Sequence, residues 1–330
     1  MQNQALEKEI LECTDDKFND LALKIFHFQC AHCAVYREWL QNCNIDPSKI
    51  LSAAQIPFLP ISFFKTKKMG FSEEHTGRYN IFESSSTSGS GVSLHFVPFI
   101  DWYEKIFRKT FELFYGKIED YMLLALLPSY LDRPNSSLVY MAEKLMEKAA
   151  DGSGFFNQDF SALHDALQTA LQSGQKVILL GVTFALLDFA EFYEGPALKN
   201  TIIMETGGMK GRRTELTRSE VHLMLQKSFG SEAIHSEYGM TELMSQAYSS
   251  GNGIFKTPPW MRISAAEIND PFGMVAENKT GRLCMTDLGN LYSCSFIATD
   301  DLARIRPDGS FEVMGRFDFS DTRGCNLMWE

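Results

Sequence analysis

Nothing in the 330 residues approaches the roughly 18 consecutive apolar side chains that a membrane span requires. The longest apolar stretch, Met122 to Leu127, stops at Pro128 and reads as a buried strand. The opening Met-Gln-Asn-Gln-Ala-Leu-Glu has neither a basic region nor an apolar core, so no signal peptide and a cytoplasmic protein are expected. Basic charge is in short supply: 31 Lys and Arg against 42 Asp and Glu leave a net charge of -11. That balance argues against a nucleic-acid partner, which needs a basic face. Cysteines are few and unpatterned. Cys30-Ala31-His32-Cys33 resembles half a zinc site, but no second pair follows at ligand spacing, so reduced thiols are expected. There is no internal repeat, no low-complexity linker, and no Gly-Lys-Ser/Thr ending of a Walker loop.

What is present is a normal globular balance, 45% hydrophobic and 22% charged, enough for one large domain or two ordinary ones. Residues 2 to 50 read as helical. Ile56-Pro57-Phe58-Leu59-Pro60-Ile61-Ser62-Phe63-Phe64-Lys65 breaks that pattern twice with proline and predicts an apolar extended segment. Residues 79 to 100 read as strand, loop and strand, and 101 to 117 as an amphipathic helix. From 121 to 250 strands and helices alternate. Strands are expected at 121 to 127, 176 to 182, 201 to 205 and 233 to 237, and helices at 137 to 150, 160 to 173, 184 to 193 and 218 to 229. Alternation of this kind predicts an α/β sheet flanked by helices. From about 251 onward, glycines, prolines and short β-like runs predict a smaller β-rich subdomain. The expected division of a single domain is therefore 1–78, 79–250 and 251–330.

Four segments could carry chemistry. Ser84-Ser85-Ser86-Thr87-Ser88-Gly89-Ser90-Gly91 offers hydroxyls and approachable backbone N–H groups to phosphate oxygens, though a surface turn would look the same. Glu205-Thr206-Gly207-Gly208-Met209-Lys210-Gly211-Arg212-Arg213 follows an expected strand, at the end where α/β sheets bind ligands. A solvated turn before a helix is the plainer alternative. Ser236-Glu237-Tyr238-Gly239-Met240-Thr241-Glu242 offers an aromatic face, a hydroxyl and a carboxylate for magnesium. Asp301 could accept hydrogen bonds from ribose hydroxyls, with Arg316 nearby, and Asp308-Gly309 is a hairpin turn signal between Ile305 and Phe311 to Val313.

The order of these segments, closed by Gly315-Arg316-Phe317-Asp318 and Arg323-Gly324, resembles the adenylate-forming acyl-ligase superfamily. Ile56-Pro57-Phe58-Leu59-Pro60, Thr206 to Arg213 and Arg323-Gly324-Cys325-Asn326-Leu327 resemble its LuxE-like acyl-protein synthetase branch. The resemblance implies the α/β large N-terminal domain of that fold, with ATP and Mg²⁺ as cofactors. It implies that Ser85, Ser86, Thr87, Ser88 and Gly89 wrap the phosphates, with Gly207 and Gly208 beside them. Tyr238 and Gly239 would lie near adenine, Thr241 at the α-phosphate and Glu242 on Mg²⁺, while Asp301 and Arg316 would take the ribose. It implies acyl transfer from the adenylate to Cys325, with a carboxylic, fatty acid as substrate and an acyl reductase or acyl-carrier protein as partner. The superfamily's small C-terminal domain and its catalytic lysine would follow Gly324, whereas the sequence ends at Glu330; Lys210 is the substitute within the chain. Two departures stand out: Ser-Ser-Thr-Ser-Gly replaces the usual Ser-Gly-Thr-Thr-Gly, and Asp300 replaces a glycine. A coenzyme A or carrier-protein ligase of phenylacetate–CoA ligase type is the alternative enzyme. A nucleotide- or acyl-binding protein without catalysis is the alternative outside enzymes.

Overall fold

The computed structural model describes residues 3–70, 79–84, 91–128, 135–207, 216–268, 270 and 272–317. In chain order the strands are β1 (Leu59–Pro60), β2 (Asn80–Glu83), β3 (Leu94–Val97), β4 (Tyr121–Leu126), β5 (Gly154–Phe155), β6 (Lys176–Gly181), β7 (Thr201–Glu205) and β8 (Ile234–Tyr238). They continue with β9 (Ala247–Ser249), β10 (Met261–Ala266), β11 (Thr280–Asp287), β12 (Phe296–Ile305) and β13 (Phe311–Arg316).

The larger sheet has the order β5-β4-β6-β7-β8-β9, parallel except for the antiparallel edge strand β9. Its inner strands are near-continuous apolar runs, Met122 to Leu126, Val177 to Leu180 and Ile202 to Met204, as a sheet covered on both faces requires. The connecting helices begin and end where local chemistry directs. Ser136 accepts from Val139 N to open Ser137–Met146, and Asp159 accepts from Ala162 N to open Phe160–Ser173. Thr217 and Glu220 form a capping box that opens Arg218–Phe229. Gly174 and Gly230 end two of these helices in the left-handed conformation, which a side chain would strain. Phe229 and Phe189 stack at 5.7 Å, joining Arg218–Phe229 to Thr183–Phe192 over the sheet.

The second sheet is built on β12. Along both halves it lies antiparallel to β11, which pairs in turn with β10; on its other side the first half lies parallel to β1 and the second half antiparallel to β13. The turn at Asp308-Gly309 joins β12 to β13, with Gly309 at φ 79°. The segment after Pro60 departs from expectation. Phe63–Thr66 is one helical turn, not extended chain, because no proline follows Pro60 and Phe64 N and Lys67 N donate back to Ile61 O and Phe63 O.

The N-terminal helices Gln4–Leu11, Phe18–His32 and Ala34–Asn42 pack on the second sheet and its loops. Phe26 and Tyr36 pack on Phe296 of β12. Gln29 is buried and makes a four-bond clamp: its amide N–H₂ donates to Asn290 O, Leu291 O and Ser295 Oγ, and its Oε1 accepts from Ser295 N, all at 3.0 Å. Cys13, Cys30, Cys33, Cys43, Cys284 and Cys294 are free thiols, and burial pushes Cys30 up to about 12. None of the helices described is long and apolar enough to cross a membrane. Gln29→Leu strands the buried partners of the clamp, each worth about 1 kcal/mol when left unpaired. Its unfolding free energy in urea should fall by about 2–4 kcal/mol, with the slope unchanged.

Candidate active site

Tyr238 ends β8 at the carboxyl edge of the larger sheet, and Asp301 lies in β12 of the other. Tyr238 OH donates to Asp301 Oδ2 at 2.7 Å, and Arg316 Nε lies 3.5 Å from Asp301 Oδ1 across the β12–β13 ladder. The Tyr238 ring meets Phe255 and Phe311 edge-on. Burial beside the Asp301 carboxylate holds the phenol far above the usual range, so it stays a donor.

Asp301 is aimed by a break in the ladder. Ala298 pairs with Cys284 and Leu302 with Arg282, so Thr299, Asp300 and Asp301 face Leu283 alone. Such bulges re-aim side chains beside sites. The bulge is tied down by Thr299 Oγ1, which donates to Leu283 O at 2.9 Å and accepts from Asp301 N at 3.1 Å. Asp300, the departure from the superfamily pattern, is paired with Arg282 at 3.1 Å.

The turn after Tyr238 is held by its backbone. Thr241 O meets His95 Nδ1 at 2.7 Å, and Glu242 O accepts from Asn290 Nδ2 at 2.7 Å. Met244 N and Ser245 N donate to Asp287 Oδ2 at 3.0 and 2.9 Å. His95 is fully buried, and burial holds its imidazole down to about 4, so the ring is neutral and Nδ1–H donates to Thr241 O. Nε2 is then an acceptor, 2.9 Å from Ser293 Oγ, and shares the one Ser293 hydroxyl proton with Asn290 Oδ1.

Glu242 is 5% exposed. Burial pushes its carboxyl up, while the Ser93 hydroxyl and the charges of Arg316 and Lys65 pull it down. Among the described residues no three His, Cys, Asp or Glu cluster as a metal cage. A single carboxylate is compatible with Mg²⁺, which takes one or two carboxylates and fills its shell with phosphate and water oxygens.

Gly207 follows β7 at φ 75°, and its N–H donates to Glu205 Oε2 at 2.7 Å. Glu205 also accepts from Thr183 Oγ1 at 3.1 Å and Arg218 Nε at 3.1 Å. Burial alone would raise Glu205, yet His222, Arg218, Ser236 and Gly207 hold it at about 2. Gly239 lies against the neighbouring carboxylate: a Cβ there would stand 2.4 Å from Glu237 Oε1. Glu237 is 8% exposed, and burial with the nearby Glu205 charge pushes it up to about 8. Two strands from β8, at the end of β4 and β6, Pro128, Phe160, Phe184 and Asp188 line a cavity of about 430 Å³.

Tyr238, Gly239, Thr241, Glu242, Asp301 and Arg316 are thus gathered where the two sheets meet, and Gly207 lies at the end of β7. Ser85, Ser86, Thr87, Ser88, Gly89, Gly208, Lys210 and Cys325 lie outside the described residues. Sequence reasoning missed Ser93, His95, Asp287 and Asn290. The signal for the first two was there: Ser93 and His95 share the buried face of β3 with Val97, and polar residues on a core face need partners.

No protein-family profile and no curated protein matches the sequence. Solved structures do. A 2-hydroxyisobutyryl-CoA ligase in its postadenylation state, bound to an acyl-AMP, superimposes with a TM-score of 0.65 at 14% identity, over 92% of this chain and 68% of that one. The chain has the fold of an adenylate-forming CoA ligase. The same ligase with acyl-AMP and CoA in its thioesterification state gives 0.64 at 14% identity, over 97% and 70%. ATP-bound MatB from Rhodopseudomonas palustris gives 0.54 at 15% identity, over 72% of this chain, which spans about half the length of that protein.

Glu237 gives the site a measurable pH signature. Its folded pKa lies above the unfolded carboxyl value of 4.5, so the folded state keeps a proton that the unfolded state loses. Stability therefore falls as pH rises from 4.5 towards about 8, by up to about 1.4 kcal/mol per unit of separation. Glu237→Gln should remove most of that slope and raise the melting temperature at pH 8 relative to wild type, with little change at pH 4.5. Calorimetric scans across this range check it.

Proposed function

We propose that this chain activates a carboxylic acid with ATP and passes the acyl group to a thiol. The observation that carries the reading is the meeting of Tyr238, Thr241, Glu242, Asp301 and Arg316 at the junction of two sheets in an adenylate-forming ligase fold. A free carboxylate is a poor electrophile because hydroxide would have to leave it. In the first step a carboxylate oxygen bonds to the α-phosphorus of ATP. The bond from that phosphorus to the α–β bridging oxygen breaks, and pyrophosphate leaves with the electron pair. In the second step a thiolate bonds to the acyl carbon, AMP leaves with the pair of the C–O bond, and the thiol's proton passes to solvent.

Asp301 would accept from the ribose hydroxyls, and its bond with Tyr238 and ion pair with Arg316 keep the carboxylate aimed. Thr241, whose carbonyl is already satisfied by His95, would offer its hydroxyl to the α-phosphate. Glu242 would hold Mg²⁺, which when bound neutralises phosphate charge. The serine-rich loop 85–89 and Gly208 would close over the phosphates, and Lys210 would face the charge developing in adenylation. The acceptor thiol is Cys325, by its place after Arg323-Gly324, with a fatty acid as substrate and an acyl reductase or carrier protein as onward partner. Transfer to coenzyme A is the second reading, favoured by the CoA-bound ligase of the same fold.

Glu242→Ala should abolish Mg²⁺-dependent ATP–pyrophosphate exchange, measured over a panel of acids, while circular dichroism and melting temperature show a folded protein. Full exchange in that variant would remove Glu242 from the site. Cys325→Ser should keep exchange but retain no hydroxylamine-sensitive labelled acid after denaturation. A label that persists moves the acceptor to another thiol. Absence of label in the wild type, alongside formation of acyl-CoA, selects coenzyme A.

A further inference from the structure

One face of the larger sheet meets the helix Ile100–Tyr115, where Tyr115 packs on His235 and Tyr248. At the carboxyl end of β7 and β8 this face carries a row of polar side chains outside the set gathered around Asp301. Glu237 pairs in register with Tyr248 of β9, and Tyr238 with Ala247. Gln246 stands one place beyond, on the same face as Tyr248 and Glu237. Glu205 pairs with Ser236 on the opposite face, so alternation puts Thr206 beside Glu237. Gly239 lies between two members of the row: a Cβ there would stand 2.4 Å from Glu237 Oε1 and 3.5 Å from Gln246 Cγ.

The polar atoms of this row are buried and short of partners. Glu237 is 8% exposed and Gln246 4%. Among the described residues the Glu237 carboxyl has no hydrogen-bond partner. Gln246 Nε2 donates to Met244 O at 3.4 Å, which settles which end of the amide is which, and Gln246 Oε1 is buried with no donor. Thr206 Oγ1 is likewise buried and unpartnered. The hydroxyls nearest Glu237 are committed elsewhere: Tyr103 OH donates to Ser137 O at 3.3 Å, and Tyr115 OH meets His235 Nδ1 at 3.2 Å. Donors are not scarce everywhere along this edge, since Glu205 on the next strand has Thr183, Gly207 and Arg218. Buried polar atoms in folded proteins are paired, so three short of partners at one spot mark a place that takes its partner from outside the chain.

The spot adjoins the turn 239–242 at the carboxyl end of a parallel sheet, the end where such sheets bind ligands. Gln246 Oε1 can only accept, and Glu237 and Thr206 can accept as well. We propose that Glu237, Gln246 and Thr206 form a polar subsite for the acid, and that the acid carries on its chain a hydrogen-bond donor, a hydroxyl or an amino group. The inference rests on the ligase reading of the site and narrows its substrate. A plain hydrocarbon chain would leave the buried oxygens unpaired, whereas a donor satisfies them.

The test uses the full chain and ATP–pyrophosphate exchange with acids matched in chain length: unsubstituted, hydroxylated and amino-substituted, with the substituent moved along the chain. Wild type should prefer a substituted acid over the plain one by about a hundredfold in kcat/KM, and whichever kind it prefers identifies the group. Glu237→Leu and Gln246→Leu should each cut that preference by about tenfold or more, whereas Glu237→Gln, which can still hydrogen-bond, should retain most of it. Melting temperatures confirm folding, and either leucine variant serves if the other does not fold. Preference of the wild type for the plain acid overturns the inference, and the row then holds ordered water only. Equal loss on every acid in the leucine variants overturns it too, since a merely structural role would act in that way. Wild type that exchanges with no acid, yet binds a substituted acid in titration calorimetry and loses that binding in Glu237→Leu, keeps the subsite and sinks the ligase reading instead. Neither exchange nor binding overturns the inference.

Discussion

Tyr238 and Asp301 belong to different sheets, and the 2.7 Å hydrogen bond between them lies where the sheets meet at the site. Each side needs the other. Tyr238 is at the end of a parallel strand, where the chain must turn, and its buried hydroxyl needs an acceptor. Asp301 stands on a bulge in an antiparallel ladder, where backbone pairing is broken and its carboxylate needs donors. One contact satisfies both groups where the two sheets meet. Arg316 on β13 adds a positive charge beside the Asp301 carboxylate.

Around that contact the protein spends polar groups on backbone, not on side chains. His95, Asn290 and Asp287 take up the carbonyls of Thr241 and Glu242 and the N–H groups of Met244 and Ser245. Asp287 is itself fully buried, and burial raises its carboxyl despite donors from Ser245, Met244 and Gly289. A turn held in this way has its backbone polar groups satisfied by buried partners, as burial requires.

Much of this was legible in the sequence. Apolar runs bounded by turn residues marked β4, β6 and β7, as a parallel sheet buried on both faces requires, whereas β8, Ile-His-Ser-Glu-Tyr, was marked by its place in the alternation of strands and helices. The order of Tyr238-Gly239-Met240-Thr241-Glu242, Asp301 and Arg316 pointed to one site, and the structure gathers them. The supporting polar residues were less legible. Ser93 and His95 were marked only as polar residues on a core face, and Asp287 and Asn290 not at all, since they act on backbone atoms of a turn 42 to 48 positions away and nothing local in a sequence marks such a partner. The helical turn at Phe63–Thr66 was missed for a related reason. Its apolar run reads equally as strand or helix, and only the packing of Phe64 on His95 decides between them.

The pair Glu205 and Glu237 shows how neighbouring strands divide labour. Both are glutamates buried at the carboxyl end of the sheet, and their backbones lie on adjacent strands. Glu205 is surrounded by donors and stays ionised, anchoring the turn at Gly207 and the start of Arg218–Phe229. Glu237 faces Tyr103, Tyr115 and Tyr248, whose titrations its charge would raise further, and it is driven towards the neutral form. The same side chain thus serves as a fixed anion on one strand and as a protonated acid on the next. The difference comes from supply of donors: β7 is followed by a turn and a capped helix that provide them, whereas β8 is followed by Gly239, whose missing side chain leaves room for the Glu237 carboxyl to fold back over the turn. The glycine in the turn after Tyr238 therefore has a packing reason of its own, since a Cβ there would displace the neighbouring Glu237 carboxyl.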